Sequence, residues 1–212
     1  PERRDDVQRD RTFSALRWVI AGSVAQRAIA FLALGAIARL IGKEDFGVFR
    51  QLATLHTIVV FVLPVGFDQL VVREKERRAE YMRALGGAAA VTFALVAAAV
   101  LAGHAYLGRA LGMGADAWLL SMFPVVLAFQ AAKCAIKPGL IADLNLRSIN
   151  LAEFANTAVA MGGGIALLFV SPTPLSLYAA FAAGEITEWL MLRGCCAAPA
   201  RVPWGERLAA FA

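Results

Sequence analysis

WVIAGSVAQRAIAFLALGAIARLIGKEDFG, Trp18 to Gly47, is the stretch on which the fold turns. At about 1.5 Å of rise per residue, the run from Leu16 to Ile41 exceeds the roughly 30 Å hydrocarbon core of a bilayer, so it reads as one membrane-crossing helix. Arg27 falls near the middle of that run. An ionised side chain there is disfavoured by at least about 2.5 kcal/mol unless it meets protein or water. Arg27 is therefore expected to point inward, with Ser23 and Gln26 on the same face, and to line a polar pathway. The bland alternative is that it snorkels to an interface or pairs with one carboxylate. Lys43, Glu44 and Asp45, between Gly42 and Gly47, predict a short polar reversal.

Composition extends this reading to the whole chain. The 212 residues are 59% hydrophobic and 17% charged, with a mean hydropathy of +0.63. A soluble domain carries about 45 to 50% apolar residues, so a polytopic membrane protein is expected. Residues 1–15 read as a polar cytoplasmic leader; the apolar run after them is too long for a cleaved signal and has no small-residue cleavage site. The formal charge of +5 does not point to nucleic acid, because Lys and Arg fall between the apolar spans rather than along one face. Cys134, Cys195 and Cys196 have no metal spacing and read as free thiols.

Six spans are predicted, making an all-α integral membrane fold. The first is followed by one over about 48–72, with Gln51, Thr54, His56 and Thr57 near one another, Pro64 as a kink, and Asp68 near its end. Arg73 to Arg83 reads as a charged loop. A third span, about 84–107, is nearly all Ala, Val and Leu and is assigned to lipid contact and scaffold. A glycine-rich turn leads to a fourth, about 117–136, in which Gln130, Lys133 and Lys137 recur on one face. Pro138 and Gly139 break the chain before a fifth span, about 149–170, with Asn150, Glu153, Asn156 and Thr157 on one side. Its Gly162, Gly163 and Gly164 are expected to allow close helix contact, Gly163 in particular. SPTP, Ser171 to Pro174, turns the chain into a sixth span, about 175–192, with Glu185 and Glu188 one turn apart. Lys and Arg outside the spans are concentrated on one side, which the positive-inside rule makes cytoplasmic, together with both termini. Residues 16–193 form the transmembrane lobe, and 194–212 a cytoplasmic tail or linker.

No nucleophile elbow, zinc-protease motif, P-loop or Cys-x-x-Cys pair is present, so no catalytic residue, metal or cofactor is expected and the chain does not read as an enzyme. Glu185 and Glu188 suit a proton relay or a counter-charge to Arg27 and Lys133, with Glu153 and Asp68 in the same group.

Three stretches carry a resemblance. Trp18, Gln26 and Arg27 followed by IARLIGKEDFGVF, Ile37 to Phe49, resemble the opening of polysaccharide exporters and O-antigen flippases of the multidrug/oligosaccharidyl-lipid/polysaccharide superfamily. VLPVGFDQLVVRE, Val62 to Glu74, looks like that family's second helix, and Phe129 to Asn156 is similar to its link between helices 4 and 5. The resemblance implies one six-helix lobe of a two-lobe fold around a central cavity, the second lobe being missing, on another polypeptide, or supplied by a homodimer partner. It implies flipping of a lipid-linked oligosaccharide from the cytoplasmic to the outer leaflet of a bacterial inner membrane by alternating access. Arg27 matches the position of a cavity arginine in related lipid II flippases. On this reading Arg27, Gln26, Lys133 and Lys137 bind the anionic headgroup, while Glu153, Glu185, Glu188 and Asp68 balance charge or carry a proton. The competing readings are a drug/cation antiporter of the same superfamily, a polymerase of polysaccharide assembly, and a non-enzymatic scaffold.

Overall fold

The computed structural model describes residues 2–62, 71, 73, 77–143 and 145–197. Among these, helices α1 (Glu2–Leu40), α2 (Lys43–Val62) and α3 (Arg78–Ala110) come first. A 3-10 segment, Gly114–Met122, then leads into α4 (Phe123–Cys134), α5 (Lys137–Ala142), α6 (Leu146–Val170) and α7 (Pro174–Ala197).

The leader is helical and continuous with the first span. Glu2 to Arg17 contains neither Gly nor Pro, and five of its residues are Arg, which loses little on entering a helix. The reversal after α1 is shorter than expected. Only Ile41 and Gly42 leave the helix, and the Phe46 amide already donates to the Gly42 carbonyl at 2.9 Å. Glu44 and Asp45 stand in the first turn of α2, where carboxylates meet free amides and the positive end of the helix dipole. Residues that look like a loop by polarity are a helix start. Most of the second half of the expected second span, with Pro64 and Asp68, lies outside the described residues.

α3 begins inside the stretch expected to be a charged loop. Its inner face carries Leu85, Ala89, Phe93 and Val100, while Val91, Leu95, Leu101 and Tyr106 are exposed. One side packs and the other presents apolar surface, as a lipid-facing helix requires.

The expected single helix over 117–136 is instead divided into the 3-10 segment and α4. Gly112 and Gly114 adopt φ of 68° and 56°, the left-handed region that side chains disfavour, and this turns the chain back on itself. The 3-10 segment lies close on α3 because Gly108 has no side chain: a Cβ there would stand 3.1 Å from the Ala117 Cα. α4 stops at Cys134, ahead of Pro138, whose ring cannot continue the hydrogen-bond ladder but suits the first turn of α5.

Among the described residues, four elements are long and apolar enough to cross a membrane: Val19–Leu40, Arg78–Ala110, Gly114–Ala142 and Leu146–Val170. The expectation of six is met only in part. α7 carries Glu185 and Glu188, and α2, described to Val62, carries Gln51, Thr54, His56 and Thr57. α7 nevertheless runs the depth of the bundle. Its Leu177 packs with Ile37, Ile41, Phe49 and Leu168 at one end, and its Leu192 with Leu140, Ile149 and Ala152 at the other.

α6 and α7 are the central pair, and α1 packs along α6 and touches α7 where Ile37 and Ile41 cluster with Leu177. The closest approach is not at Gly163, where a Cβ would meet the Ala180 Cβ at an ordinary 3.6 Å. It is at Gly184, where a Cβ would stand 2.8 Å from the Asn156 carbonyl oxygen. Gly164 is the member of the triplet that matters, its Cβ position being 3.2 Å from Leu177 Cδ2, while Gly162 faces open space.

Candidate functional site: a buried charge cluster

Glu185 and Glu188 share a face because they stand one turn apart on α7, and both are buried. Lys133, in the last turn of α4, reaches both of them. Its Nζ is ion-paired with Glu185 Oε2 and lies 2.6 Å from Glu188 Oε2. Lys137, which opens α5, lies 2.5 Å from Glu188 Oε1 and 2.9 Å from Glu153 Oε1 on α6. Asn156, one turn beyond Glu153, closes the arrangement: its Nδ2 donates to Glu185 Oε1 at 3.0 Å and to Glu188 Oε2 at 2.7 Å. Gly184 makes this possible by letting the α6 backbone come close just before Glu185.

The cluster runs from a sealed core to a partly open edge. The side chain of Lys133 is 3% exposed, against 27% for Lys137 and 37% for Glu153. Removing such charges from water costs several kcal/mol per ion, which mutual pairing and the Asn156 amide offset. On the sealed side stands His56 of α2, edge-on to Phe123 and Phe181, with ring centroids 6.2 and 5.1 Å away. It is within electrostatic reach of Glu185, Lys133 and Glu188, as Tyr178 is of Glu185. Neither His56 Nδ1 nor the Tyr178 hydroxyl has a hydrogen-bond partner among the described residues.

Of the residues singled out in the sequence, the structure brings together Lys133, Lys137, Glu153, Glu185 and Glu188. Lys133, expected to bind an anionic headgroup, is sealed between two carboxylates. Arg27 was expected to point inward; it is exposed. α1 meets α6 through Gly22 and Gln26, both against Asn150, and through Ile37 against Gly164. Arg27 is about 100° further round the helix than Gln26, and turns away with Ile20, Val24 and Phe31. It forms no ion pair with Glu185 or Glu188, so Lys133 alone is their shared counter-charge on α4. Gln26 is half-buried and its Nε2 is 3.5 Å from the Asn150 carbonyl oxygen, at the long limit of a hydrogen bond. Asp68 lies outside the described residues.

Asn156, Gly184, His56 and Tyr178 are the members that sequence reasoning did not assign to the site. The Glu153–Asn156 spacing puts those two on one face, and Gly184 directly precedes Glu185. Which helix faces them is not written in either pattern.

A helical bundle with, among its described residues, four elements long and apolar enough to cross a membrane, apolar outer faces and charges paired in its interior has the character of a polytopic membrane protein. The chain belongs to the family described as polysaccharide biosynthesis protein, which it matches over residues 16–193. No curated protein and no solved structure matches it.

Proposed function

We propose that the chain is a six-helix lobe of a flippase that moves a lipid-linked oligosaccharide or polysaccharide repeat unit from the cytoplasmic to the outer leaflet. In this reading it sits in a bacterial inner membrane with both termini cytoplasmic, and α2 and α7 cross alongside the four apolar elements. It works with a second lobe or a homodimer partner rather than as an enzyme. Family membership supports handling of polysaccharide precursors, and the observation that carries the mechanism is Arg27. It stands within the Val19–Leu40 span on an exposed face among Ile20, Val24 and Phe31, without an ion-pair partner among the described residues. A guanidinium at that depth is disfavoured against lipid tails. It is suited to a water-filled cavity where a diphosphate passes, because its fork accepts two oxygens at once.

The test is restoration of surface polysaccharide by Arg27 variants of the full-length protein, with thermal stability measured beside it. Arg27→Lys keeps the charge but loses the fork, so export should fall substantially; Arg27→Ala should abolish it; both should stay folded. Export by Arg27→Ala at the parent's level would contradict the reading.

A further inference from the structure

At the end of the bundle where α2 begins and α3 ends, an open cleft of about 380 Å³ lies between the first turns of α2 and the turn at 112–116. Its floor is apolar: Val48 and Met113 are buried and belong to one core cluster. Its walls are polar, with Asp45, Gln51 and Asp116 half-buried and Lys43 and Glu44 exposed at the rim. Among the described residues none of these five polar side chains is engaged in a hydrogen bond or an ion pair. Gln51 Oε1 is buried without a partner, which is costly unless a donor reaches it. The backbone is open to the cleft as well. A Cβ at Gly47, Gly112 or Gly114 would meet nothing within 4 Å. Gly114 and Ala115, the first residues of the 3-10 segment, keep amide N–H groups that the segment's own carbonyls do not accept.

We propose that this cleft is a binding site for one neutral hexopyranose ring. Its volume lies at the low end of the roughly 300–1,000 Å³ of small-molecule sites, which suits a single ring rather than a longer glycan. A sugar hydroxyl both donates and accepts hydrogen bonds. The cleft offers the Asp45 and Asp116 carboxylates as acceptors, the Gly114 and Ala115 amides as donors, and the Gln51 amide as both. The C–H face of the ring rests on Val48 and Met113. Other ligand classes fit less well. Three carboxylates against one lysine disfavour an anion. No group of three His, Cys, Asp or Glu side chains among the described residues could hold a metal ion. No aromatic ring lines the cleft to receive an organic cation. The site is separate from Arg27 and from the buried charge cluster, and it holds whether or not the chain flips a lipid-linked sugar.

Saturation-transfer NMR on the purified full chain in lipid nanodiscs tests it without any transport readout. The probes are the methyl glycosides of glucose, galactose and N-acetylglucosamine, with glucuronate and choline as charged controls. At least one neutral glycoside should receive saturation, and more strongly than either control. Gly47→Leu puts a side chain into the open space of the cleft and should abolish that signal while the melting temperature stays at the parent's. No transfer to any of the three glycosides, a stronger signal from glucuronate or choline, or a glycoside signal that survives in folded Gly47→Leu would overturn the site. Should Gly47→Leu fail to fold, the pair Gln51→Ala and Asp116→Asn removes polar groups from the walls without filling the cleft. The glycoside signal should then fall in both, and an unchanged signal in both would refute the site.

Discussion

Lys133 touches two buried glutamates, and neither can lose it cheaply. Lys133→Met leaves the buried Glu185 carboxylate with the Asn156 amide but no counter-charge, while Glu188 keeps Lys137, so it should destabilise the folded protein by about 3–5 kcal/mol. The triple variant Lys133→Met, Glu185→Gln, Glu188→Gln removes the unpaired charges and should recover most of that loss. Thermal unfolding in lipid checks both, and a triple variant as unstable as the single one would show that the lysine acts through packing. Arg27 gives the opposite expectation, since it is exposed and pairs with neither glutamate. Arg27→Ala should change stability by no more than about 0.5 kcal/mol, as surface substitutions do. The contrast between these two cations was not legible in the sequence: both are single positive charges in apolar runs. Their fates are set by which face of α1 meets α6 and by where α4 ends.

At the scale of elements, glycine position decides how close helices come. A methyl at Gly184 must displace the Asn156 carbonyl or its helix, so Gly184→Ala should cost about 1–3 kcal/mol and loosen the cluster, as overpacking does. Gly162→Ala adds a methyl to open space and should be neutral or slightly stabilising. Equal losses of folded yield from the two would contradict the packing described. The α3–α5 contact gives a test in pH. Arg78 donates to both carboxylate oxygens of Asp143, at 2.6 and 2.9 Å, and to the Gly139 carbonyl. The hydrogen bond from Arg78 holds the Asp143 carboxyl below its ordinary value, outweighing desolvation, and the guanidinium charge adds to it. A folded pKa below the unfolded one means the contribution is complete above the ordinary aspartate range and is lost as pH falls through the lowered value. Asp143 is largely exposed and Arg78 only partly buried, so solvent limits the pair to about 1 kcal/mol. Asp143→Asn should therefore melt slightly lower than the parent at neutral pH and alike in acid.

At the scale of the whole molecule, hydropathy and the turn residues were enough to give an all-helical membrane chain and the order of its elements. The boundaries that moved did so for local reasons: Glu44 and Asp45 serve a helix start, Gly112 and Gly114 set a left-handed turn, and Pro138 opens α5. What hydropathy could not register is how the glutamates of α7, expected there as the sixth span, are accommodated: Lys133 and Lys137 pair with them and Asn156 hydrogen-bonds them across the bundle. The two ends of the bundle are chemically distinct. One gathers Lys43, Gln51 and Gly112 to Asp116 around a shared cavity, and the other joins Arg78 to Asp143 and Gly139. Whether the charged helix α7 crosses the membrane between those ends is tested most directly by single cysteines at Thr173, before α7, and at Asp143, ahead of α6. These are placed in a background with Cys134, Cys195 and Cys196 replaced and treated in sealed cells with an impermeant thiol reagent. Thr173→Cys should label from outside, Asp143→Cys only after the membrane is opened, and a cysteine at Arg193 should behave like Asp143→Cys. Labelling of the Arg193 position from outside together with Thr173→Cys would put both ends of α7 on one side and contradict the crossing.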